Sequence, residues 1–244
     1  MSIHTSLLSL NTNNKSDNAY FTLIQNHIFN DLYLEKEKIL HQSELLFLNS
    51  LKFEKRKKTF LLGRFAAKLS LSNLFQSNEL KSINIISGIF GNPVAQTNIS
   101  NSADISISHC KNFTVAVAFP SFYILGIDIE AIKKNNVIKK YITNLEWKSL
   151  TSFFHSLEEK TLLTIIWTAK ESLSKALKCG LNISFNLLEI KNITLISENH
   201  FSCDYVNFPQ YKCEFFVASN HIVSIVLPNI TSLQFDNTTF TEKL

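Results

Sequence analysis

A chain of 244 residues that is 45% apolar has material for one large domain or two small ones, and 18% charged residues are too few for a disordered polyelectrolyte. A net charge of +4, with one dense basic run at residues 52–58, falls short of the basic stripe of a nucleic-acid binder, and a solvated helix face is the plainer reading of that run. The cysteines at 110, 179, 203 and 213 form no CxxC pair, the start lacks a secretory leader and no apolar run is long enough for a membrane span. Reduced thiols and a soluble cytoplasmic protein are therefore expected.

Residues 1–18 are rich in Ser, Asn and Thr and are expected to be extended or loose. Residues 20–34 alternate weakly and accommodate a strand, and 43–51 form a short helix behind a Ser43 cap. A longer helix is expected over 53–75, with Phe60, Ala67, Leu71 and Leu74 at helical spacing. Lys57, Leu61, Arg64 and Lys68 line another of its faces, with Arg64 and Lys68 one turn apart. Strands over 83–86 and 104–108 flank a Gly91-Asn92-Pro93 turn. Segments 113–119 and 123–130, broken at Pro120-Ser121, are read as an antiparallel hairpin. Helices follow over 139–157 and 158–178, the second ending near Gly180. Strands are expected over 190–196, 211–219 and 221–227, the last two forming a hairpin around Ser219-Asn220, before a polar tail.

This order of elements predicts an α+β fold. Each half holds a long helix and a closing hairpin, which suggests a duplicated unit. The strands do not alternate with helices as a doubly wound parallel sheet requires. The expected division is a lobe over 1–120, a second over 121–228 and a tail over 229–244.

The candidate chemistry lies in two acidic segments. Asp128 and Glu130 are two apart on an expected strand, so both carboxylates leave one face. Unpaired buried anions are costly, and a divalent cation would offset them. For this pair alone, emergence into solvent or pairing with lysine is the plainer reading. On the following helix Trp167, Glu171, Ser174, Lys175 and Lys178 share one face, opposite the apolar Ile166, Ala169, Leu173, Ala176 and Leu177. Glu171 and Lys175 also fit an ordinary surface pair. Three carboxylates and two lysines in one cleft would instead suit Mg²⁺ and phosphate oxygens, and phosphoryl transfer. Spacing alone does not bring the two segments together.

Gly126-Ile127-Asp128-Ile129-Glu130, followed about 40 residues on by Trp167-Thr168-Ala169-Lys170-Glu171-Ser172-Leu173-Ser174-Lys175, closely resembles the signature of the 4′-phosphopantetheinyl transferase superfamily. Three upstream segments fit the same pattern: residues 60–68 with Arg64, the Ser106-Ile107-Ser108-His109 stretch, and the Gly91-Asn92-Pro93 turn. The resemblance covers roughly residues 55–181 and favours the two-lobed, Sfp-like branch over the short trimeric synthases. It implies two lobes related by a pseudo-two-fold axis, with residues 1–120 on the nucleotide side of coenzyme A and the acids in the second lobe. It implies Mg²⁺ held by Asp128, Glu130 and Glu171, and catalysis by Glu171, Asp128 and Lys175. Coenzyme A would be contacted by Arg64, Lys68, Ser108, His109, Lys170 and Lys175, with Lys175 on the pyrophosphate. The implied reaction moves phosphopantetheine from coenzyme A to a serine of an acidic acyl or peptidyl carrier protein, with Glu171 or a metal-bound water as base. The implied partners include neither nucleic acid nor membrane, the implied state is a monomer, and the implied setting is fatty-acid, polyketide or nonribosomal-peptide biosynthesis. Asn92 departs from the family's basic residue and removes a charge at the nucleotide end. An inactive module that binds coenzyme A or the carrier is the alternative.

Overall fold

The computed structural model describes residues 2–13, 15–96, 102–134, 137–155, 157–218 and 220–235. The chain forms two compact units, one of Met1–Tyr123 with Leu233–Phe235, the other of Ile124–Ser232 with Asp236–Leu244.

The first unit opens with a long hairpin of β1 (Ile3–Thr12) and β2 (Lys15–Gln25), in register from Thr12↔Lys15 to Ile3↔Ile24. The start expected as extended or loose is thus an extended strand pair. Leu8 and Leu10 alternate with polar residues and are buried. Short helices α1 (Phe29–Leu34) and α2 (Lys36–Ile39) lead to α3 (Gln42–Ser50) and α4 (Glu54–Phe75). The cap of α3 is His41, not Ser43; its ring accepts from the Ser43 amide. A small hairpin of β3 (Asn84–Ser87) and β4 (Pro93–Gln96) precedes β5 (Ala103–His109) and β6 (Phe113–Pro120). The sheet runs β12-β1-β2-β6-β5, where β12 (Ser232–Gln234) comes from the segment expected as tail. Leu61, Leu62, Phe65, Ala66 and Leu71 of α4 join Ile24, Ile105, Ala116 and Ala118 in one core.

The second unit begins with β7 (Gly126–Ala131). The expected hairpin of 113–119 with 123–130 does not form: β6 and β7 belong to different sheets. The chain passes from one unit to the other between Tyr123 and Ile124, just after the break at Pro120-Ser121. After α5 (Asn144–Phe153) and α6 (Glu159–Ala176) come β8 (Ile190–Ser197), β9 (His200–Tyr205), β10 (Tyr211–Ala218) and β11 (His221–Pro228). The sheet order is β7-β11-β10-β9-β8, all antiparallel. The β10–β11 hairpin pairs as expected, while Ser219 in its turn, like residues 236–244 of the tail, lies outside the described residues. Helix α6 lays Ile165, Ile166, Ala169, Leu173 and Ala176 against Phe215, Ile222 and Val226.

The two units share one internal device. In the first, Glu44 at the start of α3 accepts from its cap residue His41 N (2.9 Å) and from Ile85 N (3.1 Å), and pairs with Lys68 Nζ at 2.6 Å. In the second, Glu146 at the start of α5 accepts from its cap residue Thr143 N (2.9 Å) and from Ile190 N (2.9 Å), and pairs with Lys170 Nζ at 2.9 Å. Each glutamate thus joins a helix cap, a strand start and a helix lysine. The Glu-to-Lys separation is 24 residues in both units, and each lysine also donates to a carbonyl 15 residues further on, Ile83 or Phe185. Two residues past each lysine, Ser70 and Ser172 bond hydroxyls of the neighbouring sheet, Thr22 and Ser224.

Candidate active site

Asp128 sits on β7, paired across the sheet with Ser224, and is 3% exposed. Its Oδ1 lies 2.6 Å from Lys175 Nζ on α6. Glu130 follows on the same face of β7, half-buried. Helix α6 brings Glu171 one turn before Lys175, also half-buried. Burial raises the Glu171 carboxyl to about 7, with the charges of Asp128 and Glu130 adding to the rise and Lys175 opposing it. Burial, then Asp128, also pushes Glu130 upward, against Lys133, a hydrogen bond from the Trp167 indole, and Lys175. The two acidic segments therefore meet as one electrostatic group of Asp128, Glu130, Glu171 and Lys175.

The register of α6 on β7 is set by close contacts. Gly126 faces the helix backbone so closely that a Cβ there would collide with Ser172 O and lie 2.6 Å from Ala176 N. Ser224 Oγ donates to Thr168 O at 2.8 Å and bonds Ser172 Oγ at 3.0 Å. Tyr205 donates its buried hydroxyl to Ala169 O at 2.6 Å. These contacts fix the rotation of the helix on either side of Glu171.

Lys170 does not join the acidic group. It is fully buried and donates to Tyr141 O (2.7 Å), Phe185 O (3.0 Å) and Glu146 Oε2 (2.9 Å). Lys68 is likewise fully buried, on Leu80 O (3.1 Å), Ile83 O (2.6 Å) and Glu44. This corrects the expectation that these two lysines contact coenzyme A: each ammonium has three acceptors and no exposure. Burial lowers the pKa of both, and the glutamate partners oppose that fall. Arg64 is mostly buried over the Phe60 ring (4.7 Å to the centroid), with Nε 3.4 Å from Glu44 Oε1. Ser108 is buried in β5, and His109 at its end is exposed. Glu44 and Glu146 were not among the candidates from sequence. Thr143-Asn144-Leu145-Glu146 carries a capping-box signal that marks Glu146 as a helix-start residue; the His41 cap of Glu44 gives no such signal.

Among the described residues no group of three or more His, Cys, Asp or Glu side chains forms a metal cage. The chemistry of the donors nevertheless fits a hard divalent cation. Asp128, Glu130 and Glu171 offer only carboxylate oxygens, and Asp128 disfavours ionisation of both glutamates. The site thus holds more negative charge than Lys175 offsets.

The second unit is thus an α+β domain with a carboxylate–lysine site at a strand–helix contact. Residues 124–226 match the model of the 4′-phosphopantetheinyl transferase superfamily. No curated protein matches the chain. Among solved structures, the chain is similar to a holo-(acyl-carrier-protein) synthase from Bacillus anthracis in complex with CoA (3′,5′-ADP), at 23% identity and a TM-score of 0.38, over 47% of this chain and 96% of that one. The Helicobacter pylori holo-[acyl-carrier-protein] synthase in complex with coenzyme A matches at 18% identity and a TM-score of 0.34, over 46% and 96%. The Plasmodium yoelii holo-ACP-synthase matches at 17% identity and a TM-score of 0.35, over 49% and 97%. Among the described residues no helix is long and apolar enough to cross a membrane.

Proposed function

We propose that this chain uses Mg²⁺ to transfer the 4′-phosphopantetheine group of coenzyme A to a serine hydroxyl of an acyl or peptidyl carrier protein. The observation that carries this reading is the convergence of Asp128, Glu130, Glu171 and Lys175, from a strand and a distant helix, within the residues that match the superfamily.

The serine oxygen attacks the phosphorus that bears the pantetheine. The bond from that phosphorus to the bridging pyrophosphate oxygen breaks, and 3′,5′-ADP leaves. Glu171, held near neutrality by burial, is the group suited to accept the serine proton. Lys175 brings a point charge for the pyrophosphate oxygens. Mg²⁺, held by Asp128, Glu130 and Glu171, would neutralise phosphate charge at the reacting centre. Arg64, Ser108 and His109 are the candidates for the nucleotide phosphates. The carrier is an acidic protein, and the enzyme works as a cytoplasmic monomer.

Incubation with coenzyme A, Mg²⁺ and an apo carrier protein tests the proposal by intact mass. The carrier should gain one phosphopantetheine. No gain on any of several carriers, with the protein folded, would overturn it.

A further inference from the structure

The buried pairs Glu44–Lys68 and Glu146–Lys170 are twins, but only the second is connected to the acids. Lys170 clamps the carbonyls of Tyr141 and Phe185. The rings of those two residues surround Trp167: Phe185 stacks on it at 5.0 Å and 18°, and Tyr141 lies 6.1 Å away. Tyr141 and Phe185 also touch each other, with centroids 5.5 Å apart. Trp167 lies on α6 one turn before Glu171, and its indole opposes the upward push on the Glu130 carboxyl. A chain of contacts therefore runs from Glu146 through Lys170 and two backbone carbonyls to three packed rings, one of them borne by the helix turn that precedes Glu171. In the first unit, Phe65 stands at the position of Trp167, counting from the lysine, and offers no N–H. Lys68 clamps Leu80 and Ile83 there, which carry no rings.

We propose that Glu146 and Lys170 are positioning residues of the acidic site. Their pair fixes the Tyr141–Phe185–Trp167 shelf and thereby orients Glu130, while the helix backbone carries the same constraint to neighbouring Glu171. Lys170 acts through other residues and touches neither substrate nor cofactor. The kinetic part of the test rests on the transferase reading, and the structural part does not.

The chain has two tryptophans, so two indole N–H resonances report on the proposal, and Trp147→Phe assigns them. Lys170→Met should shift the Trp167 indole resonance, speed its solvent exchange and lower kcat by about 100-fold with KM for coenzyme A unchanged. Lys170→Arg keeps the donors and should recover part of both readouts. Lys170→Met/Glu146→Gln removes the buried charge imbalance; Thr143 N and Ile190 N use different oxygens of Glu146, so the single amide oxygen introduced by Glu146→Gln keeps one of those two bonds and the regain of stability is partial. The double variant should still leave the indole displaced and kcat low, because the clamp is missing. Recovery of kcat together with stability would reduce the pair to a folding element and overturn the proposal. A raised KM for coenzyme A at normal kcat, or an undisturbed indole in Lys170→Met, would also overturn it. If the single variant does not fold, the double variant decides. On the unaltered protein, amine acetylation read by mass spectrometry should leave Lys170 unmodified with or without coenzyme A. Labelling in the free protein and protection by coenzyme A would make Lys170 a ligand contact and end the proposal. If the unaltered protein transfers nothing to any carrier, the proposed function fails, and the indole and labelling results still decide this inference.

Discussion

Lys175 reaches from helix α6 to within 2.6 Å of Asp128 on strand β7, and this contact ties together two segments that lie 47 residues apart. Asp128 is nearly inaccessible, so its charge depends on partners inside the site. The lysine meets one oxygen of that carboxylate, while Glu130 and Glu171 add negative charge around it. Such a concentration of acid is a cost to folding that a function must explain.

Asp128→Asn and Glu171→Gln keep shape and remove charge. Each should cut phosphopantetheine transfer by about 1000-fold or more while circular dichroism stays native, on the scale of losing a preorganised electrostatic group. Near-normal turnover by either variant at saturating Mg²⁺ would remove that residue from the site.

The Glu171 carboxyl gives a stability test without substrate. Its folded-state value of about 7 lies above the ordinary 4.5, so the folded protein binds this proton more tightly than the unfolded chain. The resulting stabilisation is fully present below about pH 4.5 and is lost as pH rises through about 7. The metal-free protein should therefore lose stability across that window, by at most about 3 kcal/mol before solvent screening reduces it. A bound divalent cation reverses the preference, because it needs the ionised carboxylate. Mg²⁺ should raise the unfolding temperature more at about pH 8 than at about pH 5.5. Equal shifts at both values, or a Glu171→Gln variant with the same pH profile, would refute the assignment.

How far the site could be read from sequence depends on the range of the contacts. Period-two geometry places Asp128 and Glu130 on one face, and helical spacing places Glu171 beside Lys175. Neither rule says that strand and helix meet; the resemblance supplied that step. Lys68 and Lys170 were misjudged for a physical reason. A lysine is buried at tolerable cost only when its ammonium finds several acceptors, and here those come from segments 12 to 29 residues away. No local pattern displays them. The false hairpin across Pro120 has a different origin. Two apolar strands joined by a short break read as a hairpin, and a boundary between units leaves the same trace. The duplication was visible as element order, but its clearest sign, the repeated Glu–Lys pair, needed coordinates. The same pairing shows why the acids lie in one unit. Counting from the lysines, Leu69 and Asn73 stand where the second unit has Glu171 and Lys175. Thr22, which bonds Ser70, pairs with Ala116, as Asp128 pairs with Ser224.

Gly126→Ala should be among the most damaging small substitutions in the second unit. The new methyl would meet backbone on α6, at Ser172 O and Ala176 N, and backbone cannot rotate away as a side chain can. The helix must shift, which breaks the Ser224–Ser172 and Tyr205–Ala169 contacts and moves Glu171 off Asp128. We expect a stability loss of about 2 kcal/mol or more by urea denaturation, with transfer reduced further than the folded fraction explains. Wild-type stability and turnover in this variant would show that α6 is not held by that contact.

Lys68 gives the corresponding test of a buried pair with no acids attached. Lys68→Met leaves Glu44 ionised and buried, with its bonds to His41 N and Ile85 N intact, and should cost about 3–5 kcal/mol of stability. Lys68→Met/Glu44→Gln removes the Glu44 charge but keeps only one of the two amide bonds, because His41 N and Ile85 N use different oxygens of Glu44, so part of that loss should return. A nucleotide-binding lysine would behave differently. Its removal would weaken coenzyme A binding in both variants by the same amount, and stability would change little. Calorimetric titration of coenzyme A alongside denaturant curves separates these outcomes. A binding defect that persists in the double variant at partly restored stability would return Lys68 to the nucleotide site, against the three buried acceptors that hold it here.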